Sequence, residues 1–365
     1  MRRAFITDPL VTRFGSVRPA LLLSMELVRR GFDATLISPR VSGDIKSTLE
    51  GRGIQVVDLG MNFYITPQLP TLEAWARALL KRRDSLPLPK DCVVINTSSC
   101  IIADSHVYYA QGPMTRALDD MTPEMPRRYR CTYSSFAWML RALERRIVRR
   151  LRLLSKLFVA NSRFCSSMYE DWGIRVDDVI YPPLDCDLFK PATAKPSADY
   201  VLTYFGAYGK ESKFSIIKRI ADAGVKIKAF GSKAPYIPKT LLKHPNIEFL
   251  DRVSDEELVD LYTNALYTLF TFTHEPFGYV PVESMACGTP VLTYNAQGPS
   301  ETVANSVTGW LANDDEELVR LAVDYWRNGY PSWMRARCRE RALKFDVRVV
   351  ADVWLEIIKG FANDA

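Results

Sequence analysis

Short apolar stretches of strand length alternate with helical stretches along this chain, and this alternation limits its fold more than any other feature. Near the amino terminus, residues 4–7, 34–38 and 54–59 have the composition of strands, with helical stretches between them. The alternation resumes at residues 200–205 and continues to residue 264. Because successive strand–helix–strand units pack as parallel strands covered by helices, the sequence predicts an α/β protein with Rossmann-like parallel sheets.

The length of the chain indicates more than one such sheet. Its 365 residues exceed one domain of ordinary size and fit two. Residues 191–197 are rich in Pro, Lys and Ala, a composition typical of linkers. We therefore expect a first domain over residues 1–195 and a second domain from residue 196 onward.

The sequence argues against several common classes of protein. No Gly-x-Gly-x-x-Gly follows the first strand, which argues against a dinucleotide-dependent dehydrogenase. The seven cysteines contain no Cys-x-x-Cys pair and the three histidines lie far apart, so we expect neither a disulfide framework nor a transition-metal centre. No apolar run reaches the length of a membrane span, and the first residues lead directly into a strand, which predicts a cytoplasmic protein.

One stretch of the second half combines a strand, a loop and a helix. Residues 266–272 are apolar, aromatic and rich in Thr, and Pro276 and Gly278 then break the strand. Pro281 and Gly288 are placed to begin and to end a helix. The loop therefore meets the positive end of the predicted helix.

The start of that helix has the character of an anion site. Helix N-termini present unpaired N–H groups and a positive dipole end, and the amides concerned belong to Phe277, Gly278, Tyr279 and Val280. Glu275 in the loop and Glu283 in the first helical turn can accept hydrogen bonds from hydroxyl groups. A diphosphate on the helix end would leave a sugar near one carboxylate and a ribose near the other. For either Glu alone, a surface acid or a residue serving the helix dipole is at least as good an interpretation.

The complete string is more specific than its parts. Glu-Pro-Phe-Gly, a second Glu after seven intervening residues, and then Met-Ala-Cys-Gly-Thr-Pro-Val resembles the donor-site signature of glycosyltransferase family 4. The resemblance implies the α/β fold called GT-B, with two Rossmann-like domains whose parallel sheets face a central cleft. It also implies that residues 1–195 bind the acceptor, that residues 196–345 bind the nucleotide sugar, and that residues 346–365 form a helix crossing back to the N-terminal domain.

The resemblance further implies an activity. Members of the family are retaining enzymes that transfer a sugar, here of hexosyl type, from a nucleotide-sugar donor to a glycan or lipid-linked acceptor in glycan biosynthesis. They need no metal and no cofactor. By this resemblance Glu275 contacts the sugar and Glu283 the ribose, while the amides of residues 277–280 bind the diphosphate.

Family members also bind the diphosphate with two cationic side chains, an Arg and a Lys, and this chain departs from that pattern. Gly206 matches the family glycine, but Ala207 stands where the family usually has Arg. Lys213 best matches the second cation and is a catalytic candidate, with Lys210 as the second choice. For either lysine, a solvated side chain near a helix start is an equally good interpretation.

Two positions of the first half complete the candidate site. Gly15 stands where the family usually has a glycine-rich loop, although an isolated Gly also suits a simple turn. Gln111 follows a predicted strand at the position where the family often carries a catalytic His, and His106 precedes that strand. Gln111 is therefore a catalytic candidate, and any step that depends on His is in doubt.

Alternatives to this interpretation remain. Asp185-Cys186-Asp187 matches the Asp-x-Asp metal motif of GT-A transferases, but its place after a Pro-Pro pair at the domain edge favours a structural role. A sugar-nucleotide epimerase of GT-B fold is one rival function. A catalytically weak protein that binds a nucleotide sugar is another, because of the missing Arg and the replaced His.

A basic helix in the first domain indicates a further partner. Residues 1–195 hold 29 of the 48 Lys and Arg but 20 of the 42 Asp and Glu. Over residues 136–154, helical spacing places Leu140, Leu143, Ile147, Leu151 and Leu154 on one side and Arg141, Arg145, Arg149 and Arg152 on another. No nucleic-acid motif accompanies this charge, so we expect no nucleic-acid partner. Either the arginines are merely solvated, or they attract an anionic membrane on its inner face.

Overall fold

Two parallel β-sheets, one of seven strands and one of six, organise the chain. They are seen in a computed structural model that describes residues 2–11, 15–62, 70–80, 84, 86, 88, 92–124, 127–193, 195–207, 210–232 and 237–363. The chain divides into two compact units. Unit 1 comprises residues 1–116, 136–183 and 347–365, and unit 2 comprises residues 117–135 and 184–346. The prediction of two α/β domains with parallel sheets is confirmed.

Unit 1 is built around the seven-stranded sheet. Its strands are β1 (Arg2–Ile6), β2 (Ala34–Ser38), β3 (Gln55–Asp58), β4 (Cys92–Asn96), β5 (Ser105–Ala110), β6 (Ser155–Ala160) and β7 (Asp178–Val179). The helices between them are α1 (Arg18–Arg29), α2 (Gly43–Glu50), α3 (Pro70–Leu80), α4 (Met114–Met121), α5 (Arg127–Leu153) and α6 (Arg163–Glu170). The strand order is β3-β2-β1-β4-β5-β6-β7, with neighbouring strands parallel.

Unit 2 repeats the architecture with six strands in its main sheet. Its strands are β8 (Val201–Tyr204), β9 (Gly206–Ala207), β10 (Lys210–Glu211), β11 (Ile227–Phe230), β12 (Ile247–Asp251), β13 (Thr268–Phe270), β14 (Val291–Tyr294) and β15 (Gly309–Ala312). Its helices are α7 (Phe214–Asp222), α8 (Lys239–Leu242), α9 (Asp255–Asn264), α10 (Tyr279–Ala286), α11 (Gln297–Thr302), α12 (Asp315–Asn328) and α13 (Trp333–Ala342). The main sheet has the order β12-β11-β8-β13-β14-β15, and β9 and β10 pair as a short antiparallel ribbon.

The last helix, α14 (Val347–Asn363), belongs to unit 1. Trp354 is buried and packs edge-on against Tyr109 of β5, with ring centroids 5.3 Å apart. Arg30, which follows α1, donates to the carbonyl of Arg348 over 2.8 Å and forms an ion pair with Asp352. The helix therefore completes the core of unit 1.

Both sheets are buried on their two faces, as continuous apolar strands predict. All five residues of β2 and all three of β13 are buried. Because the strands of each sheet are parallel, their carboxyl ends share one edge, which is where ligands bind in open α/β sheets. The candidate residues that follow β5, β8 and β13 all lie at such edges.

Helix α5 is the longest helix of the chain as described, and it extends further toward the amino terminus than its spacing predicted. Its predicted apolar stripe faces the core, because Ile147 and Leu151 are buried and Leu140 and Leu143 are half-buried. None of the helices given above has the length and apolar character that crossing a membrane requires.

Candidate active site

The loop after β13 leads into α10 through a glycine in the left-handed region. Gly278 has φ +93° and is the N-cap of α10. A Cβ at this position would lie 3.2 Å from the ring of Pro299 and 3.3 Å from that of Pro281, so both space and backbone favour glycine. The amides of Tyr279 and Val280 therefore lie in the first turn of an eight-residue helix, where N–H groups have no intrahelical acceptor.

The prediction that α10 begins at Pro281 is wrong by two residues, because the helix begins at Tyr279. Pro281 occupies the third position, where a missing N–H still costs no intrahelical hydrogen bond. Glu283 consequently lies in the second turn rather than the first. Its side chain is only 2% exposed, and the hydroxyl of Tyr262 in α9 donates to its Oε2 over 3.0 Å.

The backbone of Glu275 is held by the start of α11. Its N–H donates to Oε1 of Gln297 over 2.7 Å, and its carbonyl accepts from the N–H of Gly298 over 3.0 Å. The Nε2 group of Gln297 donates to the carbonyl of Thr273 over 2.6 Å. The Glu275 side chain is half-buried, and its peptide group is fixed on both sides.

The residue before Glu275 contacts a residue 154 positions away in the sequence. Nδ1 of His274 lies 2.8 Å from Oδ2 of Asp120, in the part of α4 that belongs to unit 2. His274 is 1% exposed. In the same loop, Thr271 and Thr273 have buried hydroxyl oxygens with no hydrogen-bond partner among the described residues. The loop therefore combines a fixed backbone with buried polar side chains.

Lys213 lies next to this loop. It is the N-cap of α7, and its N–H donates to the carbonyl of Thr271 over 3.1 Å. Its ammonium group is 2.9 Å from Oδ1 of Asp315, and Nζ lies 4.7 Å from the ring centre of Tyr294. The backbone thus places Lys213 at the loop, and the side chain pairs with the start of α12.

Asp315 is the centre of this small cluster. The hydroxyl of Tyr294 donates to the same carboxylate oxygen over 2.6 Å. Burial opposes ionisation of Asp315, but the hydrogen bonds from Tyr294 and Lys213 hold its pKa below the usual value. Burial and the Asp315 hydrogen bond together raise the pKa of Tyr294. At neutral pH Asp315 is therefore a carboxylate and Tyr294 a neutral phenol.

Gly206 follows β8, the strand beside β13, and therefore lies at the same sheet edge. It has φ +103°, and its carbonyl accepts from the N–H of Ser232 over 3.1 Å. A Cβ on Gly231 would lie 2.6 Å from that carbonyl, so the backbones approach closely here. Lys210 belongs to β10, but its side chain lies outside the part of the chain that the structure describes.

The two candidates of the first half lie at the corresponding edge of unit 1. Gln111 directly follows β5, and its Nε2 donates to the carbonyls of Ser16 and Thr97 over 2.8 and 3.1 Å. Gly15 is exposed in a turn just before Ser16. Gln111 therefore holds the loop that contains Gly15. His106 lies inside β5 rather than before it, and Val94 donates its N–H to the His106 Nδ1.

The cysteines and the Asp-x-Asp string have structural surroundings. Burial raises the pKa of Cys186 to about 12, and burial together with the nearby Glu283 carboxylate also raises the pKa of Cys287. Oδ1 of Asp185 accepts the N–H groups of Asp187 and Leu188, each over 3.0 Å. Among the described residues, no three His, Cys, Asp or Glu side chains gather to hold a metal ion.

The structure therefore brings Glu275, Glu283, Lys213, Gly206 and the 277–280 amides to one edge of unit 2, and Gln111 and Gly15 to one edge of unit 1. Sequence reasoning missed the partners of Glu283, Glu275, Lys213 and the neighbouring His274, which are Tyr262, Gln297, Asp315 and Asp120. Each lies at least 20 positions from its partner. No local pattern in the sequence marks these contacts, because tertiary folding creates them.

Part of this chain is similar in sequence to known proteins. Residues 236–345 match the family model of glycosyl transferases group 1. The chain is 38% identical over 78 residues to human alpha-1,3/1,6-mannosyltransferase ALG2, a segment covering 21% of this chain and 19% of that relative. The matched segment thus spans about a fifth of the curated relative's length.

Solved structures extend the likeness to the whole chain at the level of the fold. HepE of Anabaena, solved in complex with UDP, has a TM-score of 0.69 at 19% identity and covers 99% of this chain and 100% of its own. Sucrose-phosphate synthase of Thermosynechococcus elongatus has a TM-score of 0.70 at 14% identity, with both chains covered completely. Residues 236–345 are thus similar to glycosyl transferases group 1, and the chain as a whole has the GT-B fold.

Proposed function

We propose that this protein is a retaining glycosyltransferase of family 4, which moves a hexosyl group from a nucleotide sugar to a glycan or lipid-linked acceptor without a metal ion. The observation that supports the proposal is that Glu275 precedes the first turn of α10 in the chain and Glu283 follows it. An anion site between two hydroxyl acceptors suits a sugar linked through a diphosphate to a ribose.

The donor would be bound by unit 2. The first-turn amides of Tyr279 and Val280 offer N–H donors and the positive end of α10 to the diphosphate. The Lys213 ammonium adds a positive charge beside the same loop. In this arrangement Glu283 accepts from the ribose and Glu275 from the transferred sugar. The buried hydroxyls of Thr271 and Thr273 add hydrogen-bonding groups to the loop.

The chemistry then depends on stabilising the leaving group. When the bond from the anomeric carbon to the diphosphate breaks, negative charge grows on the diphosphate oxygens, and preorganised amides and an ammonium group stabilise it. The raised pKa values of Cys186 and Cys287 keep these thiols protonated, so neither serves as a nucleophile. Attack by the acceptor hydroxyl on the face that the diphosphate leaves is the route that the family resemblance implies.

Related proteins support this choice of substrate class. The human relative is named as a mannosyltransferase, and the Anabaena neighbour was solved with UDP and with UDP-glucose. The first name points to a hexose, and the second to a hexose carried by a nucleoside diphosphate. Gln111 of unit 1 is kept as a catalytic candidate, and Gly206, Lys210 and Gly15 as donor-binding candidates, on the family resemblance.

A panel of nucleotide sugars that differ in base and hexose tests the proposal. We expect the protein to hydrolyse or transfer the sugar of one donor and not to change the others. Conversion of one sugar into its epimer would instead favour an epimerase, and tight binding without turnover a donor-binding protein. If no nucleotide sugar is bound or turned over, the proposal is wrong.

The roles of the two carboxylates can be separated in the same assay. Glu275→Ala should cut turnover while leaving the affinity for the free nucleoside diphosphate unchanged, because Glu275 acts on the sugar alone. Equal losses of diphosphate affinity in Glu275→Ala and Glu283→Ala would contradict this division.

The proposal includes a peripheral position at the cytoplasmic face of a membrane, where a lipid-linked acceptor would be met. Helix α5 supports this, since Arg141, Arg145 and Arg149 are exposed. Trp138 and Leu153 of the same helix are 71% and 84% exposed. Arginines attract anionic headgroups, and exposed Trp is suited to the membrane interface.

A further inference from the structure

One residue outside the motif contacts the backbone on both sides of His274. The carboxamide of Gln297 accepts the N–H of Glu275 over 2.7 Å and donates to the carbonyl of Thr273 over 2.6 Å. A single side chain at the start of α11 thus uses both ends of its amide group on one loop. The neighbouring Gly298 adds a third hydrogen bond, from its N–H to the carbonyl of Glu275 over 3.0 Å.

The backbone of Gln297 is strained. Its φ is +60°, in the left-handed region that residues with a Cβ adopt rarely. Non-glycine residues persist there when the surroundings impose it, and such positions cluster at functional sites. The loop is also tightly packed here, because a Cβ on Gly298 would lie 2.2 Å from the carbonyl oxygen of Pro276. Strain and close packing together leave the loop little room to shift.

The side chain next to Glu275 is anchored independently. His274 is almost fully buried and its Nδ1 lies 2.8 Å from Asp120. The Glu275 backbone is therefore held through Gln297 and Gly298, and the preceding side chain through Asp120. A loop that only connected β13 to α10 would not need this number of polar anchors, since loops are usually the mobile part of a fold.

We propose that Gln297 is a positioning residue, whose carboxamide fixes the Glu275 peptide so that the Glu275 carboxylate meets the transferred sugar in a productive geometry. The inference rests on the proposed function, because it concerns the residue assigned to the sugar. Transfer requires the reacting groups to be held within a fraction of an ångström, and a misplacement of about 1 Å can cost about 100-fold in rate. Gln297 itself touches neither donor nor acceptor in this proposal.

Two substitutions separate the carboxamide from the backbone strain. Gln297→Ala removes the amide contacts and keeps a Cβ in the left-handed region, whereas Gln297→Gly removes both the contacts and the strain. Ser306→Gly is the matched control, because Ser306 also has a positive φ, of +61°, and lies in unit 2 away from the motif. For each variant we would measure kcat and KM for the donor selected by the panel, the Kd of its nucleoside diphosphate, and the unfolding temperature.

We expect both Gln297 variants to lose about 10- to 100-fold in kcat, with the Kd of the nucleoside diphosphate within about twofold of wild type. The Gly variant should unfold at a higher temperature than the Ala variant, because glycine tolerates the backbone, and yet be no more active. Ser306→Gly should keep the wild-type kcat.

Three results would overturn the inference. If either Gln297 variant keeps the wild-type kcat, the carboxamide does not position Glu275. If kcat and diphosphate affinity fall together, the substitution disturbs the whole site rather than the sugar end. Failure of the proposed function can be told apart from failure of this inference, because the wild-type protein would then turn over no donor. In that case the inference is wrong as well.

Discussion

The hydroxyl of Tyr262 donates a hydrogen bond to Oε2 of Glu283 over 3.0 Å, and both side chains are buried. Tyr262 comes from α9 and Glu283 from α10, so two helices of unit 2 fix the orientation of this carboxylate. A carboxylate held in this way is preorganised for a ligand hydroxyl. The Glu283 carboxylate also accepts a hydrogen bond from the buried Tyr262 hydroxyl, so its removal should lower the stability of the fold as well as the affinity for the ligand.

We predict that Glu283→Ala weakens binding of the nucleoside diphosphate by about 1 to 3 kcal/mol, the scale of a hydrogen bond to a charged group. From the sequence alone we expect Glu283→Ala to leave thermal unfolding almost unchanged. The structure revises this expectation: the buried Tyr262 hydroxyl loses its acceptor, which should cost about 1 to 3 kcal/mol of unfolding free energy. Calorimetric titration and denaturant unfolding measure the two effects.

Tyr262→Phe is the control for this pair. It removes the hydrogen bond to Glu283 but keeps the carboxylate, so it should lower stability less than Glu283→Ala and retain most of the nucleotide affinity. Unchanged nucleotide affinity in Glu283→Ala would remove Glu283 from the donor site.

Lys213 should bind the diphosphate in competition with Asp315. Lys213→Ala is expected to weaken nucleoside-diphosphate binding by about 1.5 to 3 kcal/mol, because a charge-assisted hydrogen bond is lost. Asp315→Asn should not weaken binding, and should tighten it by up to about 1 kcal/mol, since a partly exposed ion pair of that strength no longer holds the ammonium group. Titration of both variants checks this.

The Asp315 substitution also tests whether Asp315 helps Lys213 to bind the diphosphate rather than competing for it. If Asp315→Asn weakens binding as much as Lys213→Ala, the carboxylate orients Lys213 for the ligand rather than competing with it. The Tyr294 hydroxyl can still bond the new amide, so the cluster should remain folded in this variant.

The Asp185-Cys186-Asp187 string is expected to be dispensable as a metal site. Oδ1 of Asp185 already accepts two backbone N–H groups, and the carbonyl of Cys186 accepts from Arg339 over 2.9 Å. Transfer should therefore persist in excess EDTA, with helix amides and Lys213 taking the role of a cation. Asp187→Ala should retain activity as well. Loss of activity in EDTA that manganese restores would revive a metal-dependent mechanism.

The local part of the site could be predicted from the sequence. Pro276 and Gly278 mark the loop between β13 and α10 because they cannot continue a strand or a regular helix. The spacing then places Glu275 before the helix start and Glu283 within the helix, although in its second turn rather than its first. The error of two residues at the start of α10 arose because Pro281 suits the first three helical positions equally, since none of them needs an N–H.

The contacts that orient these residues could not be predicted. Asp120 and His274 are 154 positions apart, and Lys213 and Asp315 are 102 apart. Such pairs depend on how the elements pack, which local propensity does not encode. The left-handed backbone of Gln297 is likewise imposed by its surroundings, because a Gln has no intrinsic preference for positive φ.

Helix α5 shows the same division between local pattern and tertiary result. Spacing placed its leucine stripe on the core side, and the structure agrees. The spacing did not predict that Glu144, the one acid in α5, is buried. Its carboxylate accepts the N–H groups of Met114 and Thr115 over 2.6 and 2.8 Å. The exposed residues between Trp138 and Leu153 therefore include arginines and apolar residues but no acid.

This surface predicts peripheral, salt-sensitive binding to anionic membranes. Each exposed arginine near an anionic surface contributes about 1 kcal/mol, and the attraction fades as the Debye length falls from about 10 Å at 0.1 M salt to about 3 Å at 1 M. Wild-type protein should sediment with vesicles containing phosphatidylglycerol at low salt and remain in solution at high salt. It should not sediment with vesicles of phosphatidylcholine alone.

Substitutions decide whether α5 is responsible. A triple Ala variant of Arg141, Arg145 and Arg149 should stay in solution at low salt. A triple Ala variant of Arg175, Arg320 and Arg337, which are exposed elsewhere, loses the same charge and should still sediment. Trp138→Ala should weaken binding, whereas Trp333→Ala, at a half-exposed Trp of unit 2, should not. If wild-type protein stays in solution at low salt, the arginines are only solvated, and the acceptor is a soluble glycan or small molecule rather than a lipid-linked one.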